Sequence, residues 1–208
     1  MIKLEKTDVY GWEAAIRGMR NPMNSWHRSD SKWDDFGDLD GFSIGEDDLD
    51  LMMKLAEGGS VHAKYRRMIN VTVDITAPLY WWKEFDTYKV GTVANSCSTM
   101  HKIHAKEFEL DDFSHEHLNG FSVSMLKQVI NLLNFNRKEF LDSKEKSYWW
   151  QMIQLLPSSY NQKRTIQLNY EVLVGMYRDR KHHKLDEWHT FCDWIRDLPY
   201  SEIITGGK

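Results

Sequence analysis

The chain has 208 residues and a formal net charge of −4, and 41% of its residues are hydrophobic. This length and hydrophobic content are enough for one core, so a single domain over residues 1–208 is predicted. Scattered basic residues argue against a nucleic-acid-binding protein, and no apolar run approaches the roughly 20 residues of a membrane span. Cys97 and Cys192 lack the spacing of a disulfide framework or a zinc site, and the N-terminus lacks the apolar stretch of a signal peptide, so a cytoplasmic protein is expected.

The first third of the chain is predicted to form a short edge strand and two helices separated by a long loop. Ile2 and Leu4 alternate with charged residues, which is typical of an edge strand. Apolar residues recur with a helical period over residues 12–19 and 46–56. The stretch between these helices, residues 24–45, is rich in Asp, Ser, Gly and Trp and is predicted to be a loop.

The next segment contains the clearest strand of the sequence. Four β-branched residues alternate there with polar ones: Ile69, Val71, Val73 and Ile75. One face is therefore apolar and the other polar, which predicts a half-buried strand. Beyond Pro78, residues 79–85 are predicted to form a helix whose first turn tolerates proline. Residues 90–100 are small and polar and are predicted to be a loop.

The second half of the chain is predicted to be mostly helical. Residues 123–141 carry the period of a long amphipathic helix. Further helices are predicted around residues 149–156, 166–177 and 185–195. Since the chain also has no internal repeat, its predicted fold class is α/β (α+β), a small sheet surrounded by several helices.

Four short motifs in this half follow one another with a specific spacing. They are Leu156-Pro157, residues 168–173 (LNYEVL), residues 177–180 (YRDR) and residues 186–188 (DEW). In order and spacing they resemble the flavin-dependent thymidylate synthases. That family has a Leu-Pro, an N-x-R-S-L stretch, an L-R eleven positions after the Asn, and an A-Q-W-E-I helix start. Asn169 and Arg180 match the pattern, and Glu171 replaces its arginine. The resemblance implies that Asn169 lies near the flavin and that Arg180 contacts the uracil.

The segment after the clear strand departs from the family's signature, RHRxxSxNExSxRY. The predicted strand at residues 70–75, followed by Thr76 and a helix, is similar to the family's strand that leads into I-S-R and this signature. In one register, residues 85–87 (Phe-Asp-Thr) replace the RHR triplet. In the other, residues 88–90 (Tyr-Lys-Val) replace it, and Asn95 and Ser98 fall on the signature's N and S. Either register loses this triplet, whose basic residues help to hold the flavin and its phosphates in the family.

The resemblance implies a mostly antiparallel sheet and a homotetramer with active sites shared between subunits. It also implies an enzyme that binds FAD and transfers a one-carbon unit from a folate to C5 of a deoxyuridine nucleotide such as dUMP. The alternative is a non-catalytic protein on the same fold that binds or sequesters a nucleotide. The candidate substrate contacts are Arg180, Ser96 and Ser98, and the candidate cofactor contacts are Asn169, Asn95 and Tyr88.

Several of these positions also have a simpler interpretation. Arg180 is either a solvated cation at a helix end, where the macrodipole favours it, or a planar donor to a carbonyl or phosphate. Residues 91–98 either let a phosphate or base approach the backbone or form a plain turn. For Trp81-Trp82, Tyr88 and Trp149-Trp150, core packing is a better explanation than stacking on a base or an isoalloxazine ring.

Cys97 and the polar residues after it raise two further possibilities. Cys97 is interpreted either as a buried free cysteine or as a nucleophile toward C6 of a pyrimidine, with His101 four residues on. His101, His104 and Glu107 would share one face of a helix as metal ligands. Their spacing matches no metal-binding template, so no metal site is predicted.

Overall fold

Six strands and eight α-helices make up the described part of the chain, which in this computed structural model comprises residues 2–34, 37, 39 and 41–206. The strands are β1 (Lys3–Tyr10), β2 (Lys32–Trp33), β3 (Phe42–Ser43), β4 (Asn70–Pro78), β5 (Val93–Ser96) and β6 (Asn161–Asn169). The helices are α1 (Trp12–Arg20), α2 (Glu46–Glu57), α3 (Leu79–Phe85), α4 (Gly120–Ser143), α5 (Lys146–Leu155), α6 (Tyr170–Arg180), α7 (Asp186–Arg196) and α8 (Glu202–Thr205). No described helix is long and apolar enough to cross a membrane.

Four of the strands form one antiparallel sheet in the order β1–β4–β6–β5. β1 lies at an edge, as its alternation predicted, and every second residue of β4 from Val71 to Ala77 is buried. β2 and β3 form a separate hairpin, in which Trp33 pairs with Phe42. The predicted fold class, a small antiparallel sheet with several helices, is therefore confirmed.

The prediction of a plain loop over residues 24–45 is wrong, because the β2–β3 hairpin lies within it. A buried carboxylate fixes this polar stretch. Asp48 accepts hydrogen bonds of 2.6 Å from Arg20 Nε and from the hydroxyls of Ser29 and Ser31. Four residues of the stretch, Asp35, Phe36, Asp38 and Asp40, lie outside the described residues.

Two strands of the sheet lie where the sequence predicts other structure. β6 includes Ile166, which the helical period assigned to a helix, and α6 begins only at Tyr170. On the buried side of β6 the polar Gln162 precedes Ile166 and Leu168, so the apolar alternation is incomplete. β5 falls within the predicted loop at residues 90–100, and its four residues are all exposed, so no apolar face marks it.

The chain forms two compact units. The first comprises residues 2–3, 75–87 and 95–165, and the second comprises residues 4–74, 88–94 and 166–206. In the first unit α4 and α5 pack together over a core of apolar residues, Ile103, Phe108, Phe113, Leu126, Ile130, Leu133 and Met152. The same unit buries Trp81, Trp82 and Phe85 of α3, which confirms the interpretation of these two tryptophans as core. Trp150 is 43% exposed, so the same interpretation is wrong for it. The single domain remains a prediction.

In the second unit α6 packs against α7, α8 and the 3-10 helix Lys64–Arg67. Tyr170, Leu173 and Met176 are its buried residues. The Tyr170 hydroxyl donates a 2.6 Å hydrogen bond to the carbonyl of Pro199. These contacts fix the axis of α6, and with it the position of Arg180 at the helix end.

Candidate functional site

Arg180 is the last residue of α6, where the helical period predicted a helix end, and it is half-buried. Its Nε donates a hydrogen bond to the hydroxyl oxygen of Tyr88 at 2.8 Å. Its guanidinium carbon lies 4.7 Å from the ring centre of Trp188 and 5.4 Å from that of Tyr88. Arg180 is therefore held between two aromatic side chains rather than extended into solvent.

Trp188 of α7 provides a fixed surface under this guanidinium. It is fully buried, and its ring makes edge contacts with His183 at 6.2 Å and Phe191 at 5.5 Å. Attraction between a cation and an indole face contributes about 0.5–2 kcal/mol. Because the guanidinium is planar, a fixed ring beneath it also fixes the direction of its N–H donors. The arrangement can bind an oxygen acceptor such as a carbonyl or a phosphate.

Asn169 lies at the other end of α6, as the residue that caps it. Its Oδ1 accepts a hydrogen bond of 3.1 Å from the backbone N–H of Val172, and such a cap contributes about 1 kcal/mol. Gly91 lies against this cap with φ +76°, and a Cβ there would be 3.0 Å from Val172 and 3.3 Å from Asn169. Residues 88–94 therefore approach the first turn of α6 closely because residue 91 has no side chain.

Glu171 stands where the resemblance places an arginine, and its charge is balanced inside the protein. Its Oε2 lies 3.7 Å from Nη1 of Arg66, and the two side chains are 20% and 7% exposed. Neither that oxygen nor Arg66 Nε has a hydrogen-bond partner among the described residues. Sequence reasoning missed Arg66, since nothing in its basic neighbourhood at residues 64–67 indicates a partner so far along the chain.

Asp86, in the first unit, also has a cation of its own. Arg164 donates from Nη1 to Asp86 at 2.7 Å and from Nε to Gln162 at 3.0 Å. Its guanidinium carbon lies 4.2 Å from the ring centre of Trp82. In the first of the two registers, a buried Phe85 and a paired carboxylate thus stand in place of the basic triplet. Arg164 was missed because β6 was not predicted.

The remaining candidate contacts lie on and just after β5, in the first unit. Asn95 and Ser96 are exposed, and the hydroxyl of Ser98 accepts a hydrogen bond of 3.0 Å from the backbone N–H of His101. Cys97 is exposed, so its interpretation as a buried cysteine is wrong. No hydrogen bond among the described residues joins its thiol to His101.

The polar residues after this turn do not form the arrangement considered for a metal. His101, His104 and Glu107 lie in turns and coil, so the shared helical face is wrong. The ring of His104 packs on Phe140 at 5.0 Å. Within the described residues, no group of three or more His, Cys, Asp or Glu side chains could hold a metal ion.

The candidate residues are distributed over both units. Tyr88, Asn169 and Arg180 belong to the second unit, where Tyr88 and Arg180 are in direct contact, and the other three belong to the first. A cavity of about 660 Å³ also lies in the second unit, between α1, α2 and residues 61–68. None of the predicted residues lines it. Their roles toward a ligand remain predictions.

Neither a protein-family model nor a curated protein matches the sequence. Among solved structures, the chain is similar to thymidylate synthase X (ThyX) from Helicobacter pylori with FAD and dUMP. The TM-score is 0.72 at 15% identity, and 98% of this chain and 96% of that chain are covered. It is also similar to the UMP/dUMP methylase PolB from Streptomyces cacaoi bound with 5-Br dUMP. The TM-score is 0.67 at 14% identity, with 100% and 95% covered.

Each likeness extends over nearly the whole of both chains. It therefore concerns the complete arrangement of sheet and helices rather than one motif. At this identity it shows the fold alone. The resemblance read from the motifs between residues 156 and 188 is confirmed at the level of fold.

Proposed function

We propose that this protein binds a pyrimidine nucleotide of the dUMP class and transfers a one-carbon unit to C5 of its base, as a thymidylate synthase-like enzyme. The main support is Arg180, which Tyr88 and Trp188 orient in a fold whose solved neighbours hold dUMP or 5-Br dUMP. A uracil ring has two carbonyl oxygens that accept hydrogen bonds from a guanidinium.

Arg180 would do more than bind the base. A guanidinium remains charged at any physiological pH. Placed at a uracil carbonyl, it stabilises negative charge that develops on that oxygen while the ring reacts at C5 and C6. Tyr88 and Trp188 would act as positioning residues, because they hold the donor in place before the nucleotide arrives.

The residues at the family's flavin signature do not fit a phosphate-bearing cofactor. Phosphates favour cations with donors directed toward them. One register offers the buried Phe85 and the carboxylate of Asp86, which Arg164 pairs. The other register offers Tyr88-Lys89-Val90, with one cation in place of the basic triplet. At the N-x-R position the chain has Glu171, which Arg66 pairs. The solved ThyX structure contains FAD. Because the residues of this chain do not fit that cofactor, we assign FAD no catalytic step here.

This disagreement supports a second candidate, a non-catalytic protein that binds or sequesters the nucleotide. In the first register, two positions that the resemblance fills with basic residues carry acids, Asp86 and Glu171, and each acid pairs with an arginine, Arg164 or Arg66. Paired substitutions of this kind keep a fold stable without preserving an anion site. The nucleotide-binding role of Arg180 is common to both candidates.

The two candidates differ in the fate of the hydrogen on C5. We suggest incubating the protein with [5-³H]dUMP, a methylene-folate, FAD and a chemical reductant, and measuring tritium released to water. The enzyme releases tritium because C5 exchanges its hydrogen for the one-carbon unit, and Arg180→Ala lowers that rate at least roughly ten-fold. Retained dUMP binding without tritium release would instead identify the sequestering protein.

The resemblance implies a homotetramer. We also propose that this protein forms a homo-oligomer and that α4 provides the contact between its copies. Four exposed apolar residues form a row, here called the α4 stripe: Phe121, Met125, Leu132 and Phe135. Their spacing places them on one face of the helix. Between residues 120 and 136 the only charged residue is Lys127. A surface without charge suits contact with a second copy, because identical charges would meet across a two-fold axis.

A further inference from the structure

Six basic side chains line one concave surface of about 580 Å³ in the second unit. They are Lys181, His182, His183, Lys184, His189 and Arg196. Four of them follow the end of α6, and the other two belong to α7. This surface is called the basic pocket below.

With its three histidines counted as neutral, the basic pocket has three cations, Lys181, Lys184 and Arg196, against one carboxylate. Among the described residues, Asp193 is its one acidic lining residue, and it pairs with Arg196. Neither Lys181 nor Lys184 forms an ion pair with a described residue. Cys192 lies at the base, where burial raises the pKa of its thiol to about 11, so it adds no negative charge. In a chain of net charge −4 the pocket reverses the sign locally.

The helix macrodipole accounts for only part of this arrangement. Cations near the last turn of α6 stabilise its carboxyl end, which would explain Lys181. His189 and Arg196 come from a different helix, and a separation of seven residues places them on the same face of α7. Two elements thus direct basic groups into one concavity, which points to a ligand with several negative charges.

We propose that the basic pocket binds an oligophosphate, either inorganic or as the phosphate chain of a nucleoside di- or triphosphate. Lysine ammonium groups bind phosphate as compact charges, and several of them can contact successive phosphates. The volume is in the range of small-molecule pockets. A nucleic acid needs a longer basic track, and this acidic chain has its basic residues scattered.

This inference goes beyond the proposed nucleotide site and does not depend on it. The two surfaces adjoin, because the ring of His183 lies 6.2 Å from that of Trp188, on which the guanidinium of Arg180 rests. dUMP carries one phosphate, whereas Lys181 and Lys184 of the basic pocket supply two cations that form no ion pair with a described residue. The ligand that we infer for this pocket is therefore a longer phosphate chain than that of dUMP.

The test is calorimetric titration with inorganic tripolyphosphate at low and at physiological salt. Wild type is expected to bind saturably, and more weakly as salt rises. The variant Lys181→Ala/Lys184→Ala is expected to lose roughly ten-fold or more in affinity, since charge-assisted contacts are removed. The matched control is Lys127→Ala/Lys138→Ala, which removes two exposed lysines of α4 and should change affinity by less than about two-fold.

The remaining arms identify the ligand and separate this inference from the proposed function. Tighter binding of dUTP than of tripolyphosphate, lost in the pocket variant, would assign a nucleoside-linked ligand, and equal binding would assign the phosphate chain alone. The proposal is overturned if wild type shows no saturable binding, if the control variant loses as much as the pocket variant, or if a single-stranded oligonucleotide binds better than tripolyphosphate. Retained tripolyphosphate binding without dUMP binding would contradict the proposed function only.

Discussion

Arg180 lies at the end of α6 with its guanidinium over Trp188 and its Nε bonded to Tyr88. Each partner removes one kind of freedom. The indole face fixes the plane of the guanidinium, and the tyrosine oxygen fixes its rotation within that plane. A side chain with little freedom left loses less entropy when a ligand binds. The residue is therefore suited to recognise a flat acceptor such as a uracil ring.

Asp48 is a charged residue with a structural role, in contrast to the binding role proposed for Arg180, and it is fully buried. Burial alone would raise the pKa of its carboxyl. Hydrogen bonds from Ser29, Ser31 and Arg20 outweigh that effect and lower the pKa below its usual value. The ionised form is thus the one that ties residues 29–31 to α1 and α2.

Replacing this carboxylate is expected to destabilise the protein in a pH-dependent way. Asp48→Asn leaves Arg20 buried without its charged partner, at a cost of about 3 kcal/mol in the free energy of unfolding at neutral pH. A lowered folded-state pKa stabilises the protein fully above about pH 4 and loses that contribution as pH falls through the folded-state value. Urea unfolding of both proteins from pH 7 to pH 2.5 measures this difference. A difference that stays constant over the whole range would contradict the assignment.

The residues of the candidate site could be predicted only in part. Helical spacing and the motif at residues 177–180 identified Arg180 and its place at a helix end. Its contact with Tyr88 spans 92 positions and has no local signature. The pairs made by Arg66 and Arg164 were missed for the same reason, since ion pairs depend on the packing of distant segments.

At the scale of elements, prediction succeeded where most of the buried positions of a strand or helix are apolar. β4 and α4 have such faces and were found within a few residues. β6 was missed because Gln162 takes one of its buried positions, where its side-chain amide donates to the carbonyl of Cys97 at 2.7 Å. Hydrophobic periodicity does not detect a strand whose buried positions include polar side chains that are hydrogen-bonded.

The α4 stripe gives a prediction that belongs to this scale. Phe121→Asp/Phe135→Asp places two charges on the stripe and is expected to reduce the oligomer to a monomer, because desolvated carboxylates oppose association. Light scattering coupled to size-exclusion chromatography measures the mass. The matched control is Met23→Asp, since Met23 is 80% exposed and Phe121 is 78% exposed. A monomeric wild type, or a control that dissociates equally, would contradict the proposal.

For the whole molecule, the order and spacing of short motifs predicted a fold that structures at 14–15% identity share over nearly their full length. The chemistry follows less directly from this likeness than the fold does. In one register Phe85 and Asp86 replace basic residues of the resemblance, Glu171 replaces another, and all three pack or pair within this chain. A fold of this kind can hold a nucleotide with or without a reaction. Both candidate functions therefore require that Arg180 binds the nucleotide.

Calorimetric titration of dUMP into the wild type and two arginine variants tests whether Arg180 binds the nucleotide. Arg178 is the matched control, since it is in the same last turn of α6 but its side chain is 74% exposed and bonded to its neighbour Asp179 at 2.9 Å. Wild type and Arg178→Ala are expected to bind dUMP with affinities within about two-fold, while Arg180→Ala loses roughly ten-fold or more. Equal affinities for all three proteins, or no binding by wild type, would contradict the account.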